Sequence, residues 1–176
     1  HLPFGCQYRP CDVIARDART LVVDLNRQPV PQDALASCDL VVMLGVWEYL
    51  FRPHEIFAAL ACAGRPVVCS YCPVELSAHL DRRALGWVND LSLAAFLELG
   101  RQYGYRPALE RRIDDLQYVF KLEKAVETDA AAVKRVHVVS YNNVGNFGDR
   151  LGFHLLNEAL PPNAQVAPGS FDLTPT

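Results

Sequence analysis

The stretch Asp39-Leu40-Val41-Val42-Met43-Leu44-Gly45 decides how the chain is read. Its apolar run is too short and too rich in β-branched residues for a helix, and a glycine closes it, which predicts a strand. The run is continuous rather than alternating, so both of its faces are covered, as in a parallel sheet flanked by helices. Pro66-Val67-Val68-Cys69-Ser70-Tyr71 has the same character. Between the two, His54 to Ala63 places Ile56, Phe57, Leu60 and Ala61 at helical spacing, and Gly64 supplies a stop.

Upstream, residues 7–13 read as a short strand in which Pro10 marks an edge or an end. Leu21-Val22-Val23 is a second short strand ending at Asp24. Downstream, Ser92 caps a helix running to Tyr103, with Gly104 as its stop. Tyr105–Ile113 and Leu116–Leu122 flank Asp114-Asp115, and Leu116, Tyr118, Phe120 and Leu122 fall at period two, which predicts a hairpin. Strands alternating with helices predict an α/β sandwich of doubly wound type: a mostly parallel sheet with a closing antiparallel hairpin, over residues 1–122. Residues 123–134 are rich in Ala and charge and read as a linker. Residues 135–176 read as a separate strand–loop–helix fragment. Its strand holds Val136-His137-Val138-Val139, and Leu151, Leu155, Leu156 and Leu160 share one face of a helix over 150–160, stopped by Pro161-Pro162.

Composition narrows the function classes. The chain has 176 residues, 51% hydrophobic and 21% charged, with a net charge of −3. That length and apolar content support a real core and argue against disorder. The slight negative charge and the lack of a basic run argue against nucleic acid as a partner. No apolar run reaches the roughly 18 residues of a membrane span. Cys6, Cys11, Cys38, Cys62, Cys69 and Cys72 lie scattered in apolar surroundings and read as reduced cytoplasmic thiols. Cys69 and Cys72 have C-x-x-C spacing without a second pair, so no metal site is expected.

In such a sheet, ligands bind beyond the carboxyl ends of the strands. Asp12 ends the first strand, where a carboxylate can accept hydrogen bonds from both hydroxyls of a ribose. Asp24-Leu25 ends the second, in reach of an adenine amine. Gly45 to Leu50 follows the third and Ser70-Tyr71 closes the fourth. Glu48, His54, Tyr71 and His79 are the local candidates for a general base, none of them singled out by geometry. Trp47 faces either a substrate or the core, with the core favoured.

Taken in order, Cys11-Asp12-Val13, Val23-Asp24-Leu25-Asn26, Pro31, and Cys38 through Gly45-Val46-Trp47-Glu48-Tyr49-Leu50 resemble the class I S-adenosylmethionine-dependent methyltransferases, over residues 4–122. The resemblance implies a Rossmann-like methyltransferase fold with S-adenosylmethionine as cofactor. It puts Asp12 at the ribose, Asp24 and Leu25 beside the adenine, and Gly45 and Val46 near the methionine end and the acceptor, a small molecule or sugar. The family's first strand and glycine-rich turn would precede Asp12, where only His1 to Cys6 stand. The fold is therefore expected to be truncated at its N-terminus, with weak cofactor binding and an exposed sheet edge through which two chains could pair.

Val138-Val139-Ser140-Tyr141-Asn142-Asn143-Val144-Gly145-Asn146-Phe147-Gly148-Asp149 resembles the start of polysaccharide pyruvyl transferases. That resemblance implies a larger bifunctional protein of surface-polysaccharide biosynthesis, with His1 and Thr176 read as cuts. Three functions stay open: a methyltransferase module, a non-catalytic methyltransferase fold used for docking, and a pyruvyl transferase fragment.

Overall fold

The strand predicted from Leu40 to Leu44 forms as β3, and Val67–Tyr71 lies parallel to it as β4, with Val42 opposite Val68. All of β4 and four of the five β3 residues are buried, as continuous apolar runs require. The computed structural model describes residues 6–124 and the strand Arg135–Ser140. Around the core pair stand β1 (Gln7–Asp12), β2 (Leu21–Val22), the hairpin strands β5 (Tyr105–Arg112) and β6 (Tyr118–Lys124), and β7 (Arg135–Ser140). The helices are α1 (Gln32–Ala36), α2 (Pro53–Ala63), α3 (Val74–Ser77) and α4 (Leu93–Gln102), with a 3₁₀ turn at Trp47–Tyr49. Among the described residues these strands form one seven-stranded sheet in the order β2-β1-β7-β3-β4-β6-β5. The first five run parallel, β6 is antiparallel to β4, and β5 is antiparallel to β6. The architecture is thus α/β with a mixed, mostly parallel sheet.

Local chemistry explains the element ends. Pro53 opens α2, where its missing N–H costs nothing, and Gly64 closes it in the left-handed region at φ 66°. The Ser92 hydroxyl accepts from the Ala95 N–H at 3.1 Å and caps α4 as predicted. The short helices α1 and α3 were not foreseen, because five and four residues carry too little periodicity to read. Residues 13–20 form no helix between β1 and β2, in keeping with the short spacing between Asp12 and Asp24.

One face of the sheet carries Val41, Met43, Val67, Cys69, Phe120 and Leu122, and packs against α1, α2 and α4 through Leu35, Ile56, Phe57, Leu60 and Phe96. Its centre is aromatic: Trp47 stacks on Phe57 at 4.5 Å, Phe96 meets Trp47 edge-on at 5.3 Å, and Tyr71 stacks on Phe96 at 4.6 Å. Trp47 is fully buried there, so it fills the core. Truncating such a ring costs about 3–5 kcal/mol, enough to threaten a domain of marginal stability.

The position of β7 corrects one expectation. The sequence reading gives residues 135–140 to a separate unit and leaves an open edge beside β1. Instead β7 lies inside the sheet, with Cys11 of β1 and Met43 of β3 both opposite Val139. Both β1 and β3 are therefore paired on each side, and the free edges among the described strands belong to β2 and β5. The slot is filled because parallel strands that lack a neighbour leave backbone groups unpaired, and a β-rich run elsewhere in the chain satisfies them. The loop and helix patterns at 141–176, including the remainder of the pyruvyl-transferase-like stretch, lie outside the described residues.

Candidate functional site

The carboxyl ends of β1, β2 and β3 open onto one cleft. Cys11, Asp12 and Val13 line it from β1, Val23 to Asn26 from the end of β2, and Val46, Tyr49 and Leu50 from the chain after β3. Four of the five residues that the resemblance assigns to cofactor binding, Asp12, Asp24, Leu25 and Val46, meet here. They come from three separate strand ends.

Asp12 is 9% exposed. Its Oδ1 accepts from the Ile14 N–H at 3.3 Å and its Oδ2 from Arg16 Nε at 2.8 Å. The backbone around it is fixed by the Val23 N–H, which donates to the Asp12 carbonyl at 2.9 Å and ties the ends of β1 and β2 together. Asp24 is more open. Its Oδ1 accepts from the Asn26 N–H at 2.9 Å in an Asx turn, and Arg27 Nε stands 3.3 Å from its Oδ2. The third wall is held against the second by Asn26. Its Nδ2 donates to the Tyr49 carbonyl at 2.8 Å, and its Oδ1 accepts from the Phe51 N–H at 2.9 Å. Arg52 adds a bond from Nη2 to the Asn26 carbonyl at 3.1 Å. Asn26 was not picked out in the sequence; only the Asp-x-Asn spacing hinted at a turn, and its partners lie more than twenty residues away.

Gly45 does not line the cleft. It turns the chain at the end of β3 with φ 62°, and its N–H donates to Ser70 Oγ at 2.9 Å, which fixes where Val46 leaves the sheet. Gln117 Nε2 donates to the same hydroxyl at 3.0 Å, so the hairpin is tied to that turn.

The four candidates for proton transfer stand elsewhere. Glu48 is 1% exposed and is not part of the cleft lining. Its Oε1 accepts from the Cys72 N–H at 2.7 Å, and burial pushes its carboxyl above the ordinary range. Its backbone carbonyl accepts from the Val88 N–H at 2.8 Å. Glu48 therefore joins the chain after β3 to the segments that follow β4. Tyr71 is buried in the aromatic core, its hydroxyl 2.8 Å from Asn89 Oδ1 and 3.0 Å from the Leu91 carbonyl, and burial raises its pKa. His54 is exposed on the first turn of α2, and His79 is exposed beyond α3. The residues near Glu48 are gathered by Arg82, which the sequence did not mark. Its guanidinium donates to the Cys72 carbonyl at 3.0 Å, to Ser77 Oγ, to the Asn89 carbonyl at 2.7 Å and to Asp90 Oδ1 at 2.9 Å.

Cys69 and Cys72 are both buried free thiols whose pKa values are raised by burial and by Glu48. A nucleophilic or redox thiol needs the opposite shift. Among the described residues no cluster of His, Cys, Asp and Glu is arranged to hold a metal ion. No described helix is long and apolar enough to cross a membrane.

What the cleft can do chemically follows from its walls. Two carboxylates at neighbouring strand ends accept hydrogen bonds from hydroxyls or amines, while Leu25, Val46 and Leu50 offer apolar surface for a flat ring. Such a set of acceptors and apolar walls can take a ligand that carries hydroxyl or amine groups on a flat ring system.

No protein-family model and no curated protein matches the sequence. Solved structures do. An O-methyltransferase of neocarzinostatin biosynthesis, NcsB1, in complex with S-adenosylmethionine and 2-hydroxy-5-methyl naphthoic acid, aligns over 60% of this chain and 33% of its own, with 18% identity and a TM-score of 0.47. The putative methyltransferase complexed with the Haloferax volcanii activator Trm112 is represented by a match covering 62% of each chain, with 17% identity and a TM-score of 0.49. Magnesium protoporphyrin IX methyltransferase from Synechocystis PCC 6803, with bound S-adenosylhomocysteine, aligns over 60% of this chain and 51% of its own, with 14% identity and a TM-score of 0.42. The chain thus spans between a third and about three fifths of these structures. At such identities and scores no residue's role passes across the alignment. All three are methyltransferases, and two of them hold S-adenosylmethionine or S-adenosylhomocysteine.

Proposed function

We propose that the cleft binds the adenosine half of S-adenosylmethionine and that the chain is part of a methyltransferase acting on a small-molecule or sugar acceptor. One observation carries the reading: Asp12 and Asp24, at the carboxyl ends of adjacent parallel strands, share a single cleft with Leu25 and Val46. In this reading Asp12 accepts from the ribose hydroxyls and displaces its bond to Arg16. Asp24 and the backbone beside Leu25 meet the edge of the adenine, which packs on Leu25, while Val46 lies toward the methionine end. The cofactor, when bound, supplies an activated methyl group on sulfur. The chain's own part is to bind, orient and exclude water, so that proximity lowers the barrier. The resemblance of the tail to pyruvyl transferases supports a setting in surface-polysaccharide biosynthesis, as one module of a longer protein.

Titration calorimetry of the 176-residue chain with S-adenosylhomocysteine tests the reading. Binding that weakens at least tenfold in Asp12→Ala, with the melting temperature little changed, is the expected result. No heat with S-adenosylhomocysteine or S-adenosylmethionine would overturn it and favour a docking role.

A further inference from the structure

The turn that carries the third wall of the cleft cannot hold its own shape. Trp47–Tyr49 is a single 3₁₀ turn, closed by the Tyr49 N–H on the Val46 carbonyl at 3.0 Å and the Leu50 N–H on the Trp47 carbonyl at 3.1 Å. One such turn is too short to be stable alone in water. Yet it leads from Val46 to Leu50, and Val46, Tyr49 and Leu50 all line the cleft. Contacts from two sides fix it. On one side Asn26, from the second wall, holds the Tyr49 carbonyl and the Phe51 N–H. On the other stands Asn89, which is not part of the cleft lining. Its Nδ2 donates to the Trp47 carbonyl at 2.6 Å and to the Leu50 carbonyl at 3.2 Å. The Val88 N–H donates to the Glu48 carbonyl at 2.8 Å. Every carbonyl from Trp47 to Leu50 is thus held by a residue of another segment, two of the four by Asn89.

We propose that Asn89 is a positioning residue of the cleft: it sets where Val46, Tyr49 and Leu50 stand against Cys11 and Leu25, so that the segment after β4 fixes the width of a site it does not line. The proposal deepens the reading of the cleft as an adenosine site, and rests on that reading only for the identity of the ligand. Asn89 can act in this way because it is itself anchored to the rigid part of the molecule. Its Oδ1 lies 2.8 Å from the hydroxyl of Tyr71, whose ring ends β4 and stacks on Phe96 in the core. Its backbone carbonyl accepts from Arg82 Nη2 at 2.7 Å. Arg82 is 7% exposed and also holds the Cys72 carbonyl at 3.0 Å, so the backbone of Asn89 is tied to the end of β4 as well. With two carbonyls on Nδ2 and a hydroxyl on Oδ1, the amide has one satisfactory orientation, since turning it over would set oxygen against oxygen. The segment touches the wall a second time at Gly86, which has φ 77° and where a Cβ would stand 3.5 Å from the Tyr49 ring. A hydrogen bond between a rigid element and a soft one places the soft one, and here the soft one is the turn.

Alkylation kinetics of the 176-residue chain at about pH 8, read thiol by thiol by mass spectrometry, test this whether or not the cleft binds a nucleoside. Asn89→Asp keeps an acceptor for the Tyr71 hydroxyl and replaces both donors by an oxygen that faces carbonyls. Cys11, on the wall opposite the turn, is expected to react about tenfold faster in that variant, the scale of one or two lost hydrogen bonds. Cys62 should keep its rate, and the buried Cys38, Cys69 and Cys72 should stay protected. Tyr71→Phe removes the anchor and keeps the ring, and is expected to raise the Cys11 rate about threefold; it decides the matter if Asn89→Asp does not fold. A Cys11 rate that does not change overturns the proposal. So does one that rises only together with the rates of the three buried thiols, because that pattern is loss of the whole fold. Where S-adenosylhomocysteine binds the unaltered chain, its affinity should fall about tenfold in Asn89→Asp, and an equal affinity overturns the proposal as well. No binding by the unaltered chain counts against the cofactor reading alone, and the thiol rates then decide the role of Asn89.

Discussion

Asn26 and Tyr49 hold two walls of the cleft at a fixed separation: the Asn26 Nδ2 donates to the Tyr49 carbonyl at 2.8 Å. The same side chain accepts from the Phe51 N–H, so a single amide satisfies a donor and an acceptor of the chain after β3. Asn26→Ala leaves both groups to water and is expected to cost about 1–2 kcal/mol in a denaturant titration. Affinity for S-adenosylhomocysteine should fall about tenfold, because Asp24 and Val46 then move independently. A stability loss without an affinity loss would restrict Asn26 to a folding role. Asn26→Asp should be no better, since its carboxylate faces the Tyr49 carbonyl.

Arg16 occupies the carboxylate that a ribose would use, with Nε 2.8 Å from Asp12 Oδ2. The Arg16 side chain is 46% exposed, so the pair is screened and is worth at most about 1 kcal/mol. Arg16→Ala should tighten binding of adenosine and S-adenosylhomocysteine by about two- to fivefold at low salt. The gain should shrink at high salt. Weaker binding in this variant would show that Arg16 contacts the ligand instead of competing with it.

Glu48 makes stability depend on pH. Its carboxyl is held above its ordinary value of 4.5 by burial, so the folded state keeps a proton that the unfolded chain releases. The corresponding stability is fully present below the unfolded value and is lost as pH rises through the folded one. Melting temperatures between pH 5 and 8 should therefore decline more steeply in the unaltered chain than in Glu48→Gln, which has no proton to lose. Parallel profiles would count against a neutral Glu48.

The thiols should react in order of access. Cys62 is exposed, while Cys38, Cys69 and Cys72 are buried. Cys11 lines the cleft, and burial together with the Asp12 charge pushes its pKa up to about 11, so little thiolate is present at pH 8. Mass spectrometry during alkylation at pH 8 should find Cys62 modified first, Cys11 slowly, and the buried three only on unfolding. S-adenosylhomocysteine should slow Cys11 further and leave Cys62 unaffected. Equal protection of both would point to global stabilisation rather than occupation of the cleft.

The strands β3 and β4, the helices α2 and α4 and the closing hairpin were legible in the chain because each has its own period and its own stop. Gly64 and the Ser92 cap are local devices that act through neighbouring backbone. The strand-end carboxylates were legible for the same reason, since a residue at the end of an apolar run is at the end of a strand. Asn26, Arg16 and Arg82 were not, because their value lies in the groups they reach. Asn26 meets Tyr49 across a gap of 23 positions, and Arg82 gathers Cys72, Ser77, Asn89 and Asp90 from a loop without periodicity. Glu48 and Tyr71 were marked by residue type as proton carriers. The fold placed one beside the Cys72 backbone and the other in an aromatic stack.

By itself, then, the sequence determined the α/β class, the carboxyl-end location of Asp12 and Asp24, and the absence of a basic surface run, since each follows from local pattern or composition. Only the tertiary structure decided that those carboxylates share a cleft with Val46, that Glu48 and Tyr71 stand apart from it, and that β7 lies between β1 and β3. The reason is one of range. Periodicity and capping act within a few residues, whereas strand order is chosen by which distant backbone satisfies an open pair of edges, and no local signal in residues 135–140 names the neighbours they take.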